Sequence, residues 1–132
     1  MNLIMGLFVG LFVFSCQEHT HKSDKDLGPN LSEIIHIYNY YKKGDFKEYV
    51  KHMASCDSMP DEYVKNIITL HKSQSNIRKE THGEIDSFKV NRIIKSTSNT
   101  HAKVLITHYY SNSTKEEILL QMVYKDNQWK IK

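Results

Sequence analysis

The last seventeen residues, Glu116 to Lys132, constrain this chain more than any other stretch; they read EEILLQMVYKDNQWKIK. Ile118, Leu120, Met122 and Tyr124 alternate with Leu119, Gln121, Val123 and Lys125, which is the period of a β-strand. Asp126-Asn127 suits a two-residue turn, because Asp and Asn tolerate positive φ. Folding there sets Tyr124 opposite Trp129, Met122 opposite Ile131, Lys125 opposite Gln128 and Val123 opposite Lys130. Both arms then carry their largest apolar residues on one face, an agreement that a one-residue slip would destroy. Trp129, the only Trp, is expected to lie buried against Tyr124 as the anchor of the sheet. Its other place would be the mouth of a cavity, touching ligand.

Upstream of the hairpin the strand signals continue. Ile85 to Lys95 holds Phe88, Val90 and Ile94 in alternation, with Ile93 beside them. Thr97-Ser98-Asn99 is a turn cluster, His101 to Tyr110 is dense in β-formers, and Ser111 to Thr114 is the next turn. The spacing predicts four strands in a meander. A four-residue loop at 111–114 would put Leu105, Thr107 and Tyr109 on the face of Ile118 and Leu120. The other face would hold Val104, Ile106 and Leu119, with His108 opposite Glu117. Both faces carry apolar residues: one packs on the helices, and the other bends into a cavity or meets a second chain.

The first half reads as helices. Leu31, Ile34, Ile35, Tyr38 and Tyr41 form a stripe, with Asn30 as cap, Glu33 completing a capping box and Gly44 as stop. Asp45 caps a second helix carrying Phe46, Tyr49, Val50 and Met53. After the break at residues 56–60, Tyr63, Val64, Ile67, Ile68 and His71 make a third stripe, which fades across Ser73 to Gly83. Five tyrosines in these short helices, Tyr38, Tyr40, Tyr41, Tyr49 and Tyr63, either pack the core or line a ligand pocket.

Leu3 to Phe14 is apolar apart from Gly6 and Gly10. Twelve residues fall short of the ~20 that a membrane helix needs, but suit a secretory leader. Val13-Phe14-Ser15-Cys16 resembles the lipobox of bacterial lipoproteins, which are cut before a Cys that receives lipid. Residues 1–15 are thus expected to be a signal peptide and Cys16 a lipid attachment site; the alternative is a plain secretory signal with Cys16 incidental. Residues 16–30 are polar, end in Gly28-Pro29-Asn30 and read as a tether. Gln17, by resemblance to Gram-negative sorting rules, points to the outer membrane, on either face. The anchor makes the membrane itself a partner.

The remaining chemistry is sparse. Net charge is +3 and spread along the chain, without the clustered basic face that nucleic acid requires. His19 and His21 sit in the tether, where a closed metal site would need four ligands, so no metal and no cofactor is expected. With Cys16 lipidated, Cys56 is the one mature thiol and a disulfide framework is excluded. No Gly-rich phosphate loop or catalytic triad motif is present. His108 with Glu117 is the nearest approach to an acid–base pair, although such cross-strand pairs are ordinary sheet stabilisers.

The order of helix, Gly44-Asp45-Phe46, further helices and a meander closing on Tyr124-Lys125-Asp126-Asn127-Gln128-Trp129-Lys130-Ile131 resembles small bacterial lipoproteins of unknown function with a nuclear transport factor 2-like (cystatin-like) domain. The resemblance covers residues 31–132. It implies an α+β fold in which N-terminal helices pack on a curved four-stranded antiparallel meander, forming a cone. Tyr38, Tyr41, Tyr49, Tyr109, Tyr124 and Trp129 are candidates to line its cavity. It also implies homodimers through the sheet. The expected function is a lipid-anchored, non-catalytic module that binds a small ligand or a protein; the alternative is an isomerase or hydro-lyase using the cone, with His108 as base.

Overall fold

The computed structural model describes residues 28–132. The expected signal peptide, Cys16, His19, His21 and most of the tether lie outside the described residues. Three helices precede four antiparallel strands: α1 (Leu31–Lys43), α2 (Phe46–Tyr49), α3 (Asp61–His82), β1 (Ile85–Lys95), β2 (His101–Tyr110), β3 (Lys115–Lys125) and β4 (Gln128–Ile131). The strands pair in the order β1-β2-β3-β4, as a meander does. The sheet curls into a half-barrel around the helices, the α+β cone that the family resemblance implied.

The caps of α1 follow from its sequence. The Asn30 side chain accepts from the Ser32 amide at 2.8 Å, and Gly44 ends the helix at φ 76°. There the Asp45 amide donates to Tyr40 O and the Gly44 amide to Tyr41 O, which satisfies two terminal carbonyls. The buried face differs from the expected stripe. Ile34, Ile37 and Tyr38 are buried, whereas Leu31 and Ile35 are 50% and 39% exposed. Residues 34, 37, 38 and 41 share the helical spacing of the expected set and bring two aromatic rings onto the sheet, so the helix is turned towards Ile37.

Asp45 caps α2 by accepting from the Glu48 amide. The helix lasts one turn and gives way to two 3₁₀ segments, Val50–His52 and Ala54–Cys56. Between them Met53 is extended and forms an isolated parallel bridge with Ile131, so the chain leaves the helix to cover the free edge of β4. α3 continues through the segment where its apolar stripe fades. Its inward side there is Ser75, Arg78 and His82, half-buried and polar. Lys, Gln, Arg and Glu are good helix formers, so the helix persists without an apolar face.

The terminal hairpin has the expected register at all four pairs, with Asp126 and Asn127 at φ 51° and 60° as a two-residue turn of this hand requires. Trp129 is 4% exposed and packs edge-to-face with Tyr124, the ring centroids 5.4 Å apart. The β2–β3 register differs from expectation by one residue: Ile106 faces Ile118, Thr107 faces Glu117, and His108 faces Glu116. Ser113 adopts φ 66° and the Tyr110 amide donates to Thr114 O, so the connection closes on three residues, 111–113, one fewer than the expected four-residue loop. Ala102, Val104, Ile106, His108 and Tyr110 therefore share the buried face with Met122, and Leu105, Tyr109, Leu119 and Glu117 lie on the outer face.

Candidate functional site

His108 sits on the inner face of β2 between Phe88 of β1 and Glu116 of β3, and is fully buried. The rotated face of α1 lowers Tyr38 onto it, and the Tyr38 hydroxyl lies 2.6 Å from His108 Nε2. On the other side His108 Nδ1 is 3.1 Å from the Tyr110 hydroxyl, which donates to Glu116 Oε2 at 3.2 Å. Because the Tyr110 proton goes to Glu116, its oxygen accepts from His108 Nδ1–H. His108 Nε2 is then the acceptor for the Tyr38 hydroxyl, and the imidazole is neutral. The chain reaches the surface at His82, whose ring stacks on Tyr110 at 4.7 Å and whose Nε2 is 3.7 Å from Glu116 Oε2.

A second layer closes over the imidazole. The Tyr41 ring lies 6.1 Å from it at a shallow angle and stacks on Tyr38 at 5.1 Å. Arg78 of α3 donates to the Tyr41 hydroxyl, its guanidinium 5.6 Å from the ring centre. His71 packs against Tyr41, Phe46 and Tyr49. Among the described residues no buried side-chain nitrogen or oxygen lacks a hydrogen-bond partner.

Burial sets the protonation states. Desolvation, reinforced by the Arg78 charge and opposed by Glu116, lowers the His108 pKa to about 4. Burial raises Tyr38 and Tyr49 well above the ordinary phenol, and pushes Tyr110 up to about 12 with help from Glu116. His71 is lowered by burial, and the half-buried Cys56 thiol is raised by it, the opposite of what a nucleophile needs. The network can hold a neutral imidazole in one tautomer; it leaves no lone pair of that imidazole free for a substrate proton.

The clefts meet this network only at its outer end and are not lined by His108. One of about 260 Å³ is lined by Arg78, His82 and Glu116 with Gln74, Ile77 and Thr81. A groove of about 770 Å³ runs between residues 28–33 with His36 and the turn at Asn127 to Trp129. Another of about 310 Å³ is lined by Val50, Val64 and Ile68 together with Lys47, Lys65, Asp57 and Asp61. Of the six aromatic candidates, Trp129 alone borders one of these. Tyr38 and Tyr49 are core, Tyr41 is half-buried beneath Arg78, Tyr109 is exposed on the outer face, and Tyr124 is packed on Trp129. Glu117 is on the outer face opposite Thr107, away from His108. Among the described residues no group of three or more His, Cys, Asp or Glu is placed to hold a metal ion.

Sequence reasoning missed Arg78, His82, Tyr110 and Glu116. A signal existed in α3: His71, Arg78 and His82 fall at i, i+7 and i+11, which continues the helical stripe in polar residues.

No family model and no curated protein matches the sequence. The structure is similar to the crystal structure of a candidate NTF2-like (nuclear transport factor 2-like) transpeptidase from Campylobacter jejuni. The TM-score is 0.59 at 15% identity, over 77% of this chain and 97% of that one. The domain has an NTF2-like fold. At that identity the likeness speaks for architecture alone, and one fold of this kind hosts many chemistries.

Proposed function

We propose that the protein is a lipid-anchored component of the bacterial cell envelope, held by lipid on Cys16 at the outer membrane, and that its NTF2-like domain binds a ligand or a partner without catalysing a reaction. The observation that carries the second half is the state of His108. It is fully buried, both ring nitrogens are engaged by phenols, and it lines none of the clefts described above. A general base must lie within hydrogen-bond reach of the proton it removes. The isomerase or hydro-lyase reading loses its base on that geometry.

The first half rests on the apolar run of Leu3 to Phe14 ending in Val13-Phe14-Ser15-Cys16. Among the described residues no helix is long and apolar enough to cross a membrane. Lipid supplies attachment by burial, since each methylene contributes about 0.8 kcal/mol and two or more chains hold stably. The outer sheet face, where Tyr109 is 40% and Leu119 48% exposed, is the surface a second copy would cover. Mass spectrometry of the mature N-terminus tests the anchor: a triacylated Cys16 is expected, and an intact Met1 or an unmodified Cys16 refutes it. Turnover of any carbonyl substrate that His108→Gln abolishes would refute the non-catalytic half.

A further inference from the structure

A meander has two edges, and they are treated differently here. The edge of β4 is covered where Met53 bridges Ile131. β1 is an eleven-residue strand with no strand beside it on its far side among the described residues. An edge strand turns alternate backbone N–H and C=O groups outward, ready to pair with another chain. Register irregularities between Ile85 and Ser87 and between Val90 and Arg92 blunt this edge at two points. The stretch between them, Ser87 to Val90, pairs regularly with β2.

That regular stretch borders a groove of about 380 Å³, whose other wall is Leu31, Ile35, Asn39 and Lys42 of α1. Leu31 and Ile35 are the two apolar residues that α1 turns away from its own core, 50% and 39% exposed. A strand added beside β1 would continue the alternation of the sheet. Its side chains on the inner face, in line with Phe88 and Val90, would meet Leu31 and Ile35. Those on the outer face would lie beside Lys89, with Arg92 just beyond. The charged residues lining the groove, Lys42 and Lys89, are both cations, and no carboxylate lines it.

We propose that this groove receives an extended peptide as an added strand on β1, apolar at alternate positions against Leu31 and Ile35 and acidic between them beside Lys89. Main-chain hydrogen bonds give such a contact its affinity, and the alternating side chains give its specificity. The proposal rests on the binding reading above and supplies the class of partner.

The test uses the full-length lipidated protein in lipid nanodiscs and a blocked nine-residue peptide of alternating Val and Glu. Hydrogen exchange read by mass spectrometry is expected to slow across residues 87–90 when the peptide is added. Leu31→Glu with Ile35→Glu changes exposed positions and is expected to weaken binding at least about tenfold with the melting temperature kept. Lys89→Glu is expected to shift preference to a Val/Lys peptide. Binding with unchanged exchange at 87–90, undiminished affinity in the double variant, or no binding at millimolar peptide overturns the proposal. Such a failure with Cys16 triacylated removes this docking site and leaves the anchored binding module standing. An unmodified Cys16 refutes the anchor whatever the peptide does.

Discussion

Replacing Tyr38 by Phe deletes one oxygen from a side chain that is 1% exposed and strands the Nε2 acceptor of His108, which is 0% exposed. A buried polar group left without its partner costs about 1–3 kcal/mol, beyond what the bond itself contributed. His108→Leu makes the converse error. Tyr110 still donates to Glu116, but the Tyr38 hydroxyl then has no acceptor, at a similar cost of about 1–3 kcal/mol plus repacking. The double variant Tyr38→Phe/His108→Leu strands neither group, because an apolar pair replaces a polar one of similar shape. Its destabilisation is therefore expected to fall short of the sum of the single variants by about 1 kcal/mol or more. Urea unfolding of the four proteins, followed by far-ultraviolet circular dichroism, gives the cycle. Additivity within about 0.3–0.5 kcal/mol, the range found for independent sites, would refute the hydrogen bond as the link between α1 and the sheet.

Three further outcomes follow from the same structure. The His108 pKa is depressed in the folded protein, so its contribution is present above the unfolded value of about 6.5 and is lost as pH falls towards about 4; wild type should lose about 2 kcal/mol more than His108→Gln between pH 7.5 and pH 5, and parallel pH profiles would refute this. Trp129→Ala removes a 4% exposed anchor and should cost about 3–5 kcal/mol, a large share of a total near 5–15 kcal/mol; a melting temperature within a degree or two of wild type would show that Trp129 is not core. Ser113→Gly relieves a φ of 66° in the β2–β3 loop and should raise stability by up to about 1 kcal/mol in thermal unfolding, whereas a clear loss would mean the loop is not as described.

The terminal hairpin was legible because two independent signals coincide there: side-chain sizes match across one register only, and Asp126-Asn127 tolerates the positive φ that the turn requires. The caps of α1 and α2 were legible for a related reason, since Asn30, Gly44 and Asp45 are residues whose chemistry is local. The buried face of α1 was not, because residues 31–41 contain two overlapping apolar stripes and only packing on the sheet decides between them. The β2–β3 register failed at Ser113, a residue type that gives no warning of a left-handed backbone. That one-residue error carried into the site: His108 was singled out, but was paired with Glu117 instead of Glu116. The length of α3 was hidden because its inward side turns polar where it meets a polar network. One partner of His108, Tyr110, follows from the two-residue period of β2, but the other is Tyr38, 70 residues away, and no local pattern links those positions.

The closure of His108 is measured most directly by nitrogen-15 NMR of its imidazole, titrated from pH 8 to pH 4. The structure predicts a neutral ring, protonated at Nδ1 and hydrogen-bonded at Nε2, with a single tautomer down to pH 5 and a midpoint at about 4. A midpoint near the ordinary value of about 6.5, with the ring exchanging freely between tautomers, would mean that solvent reaches His108. It would return to the cone a base able to serve catalysis.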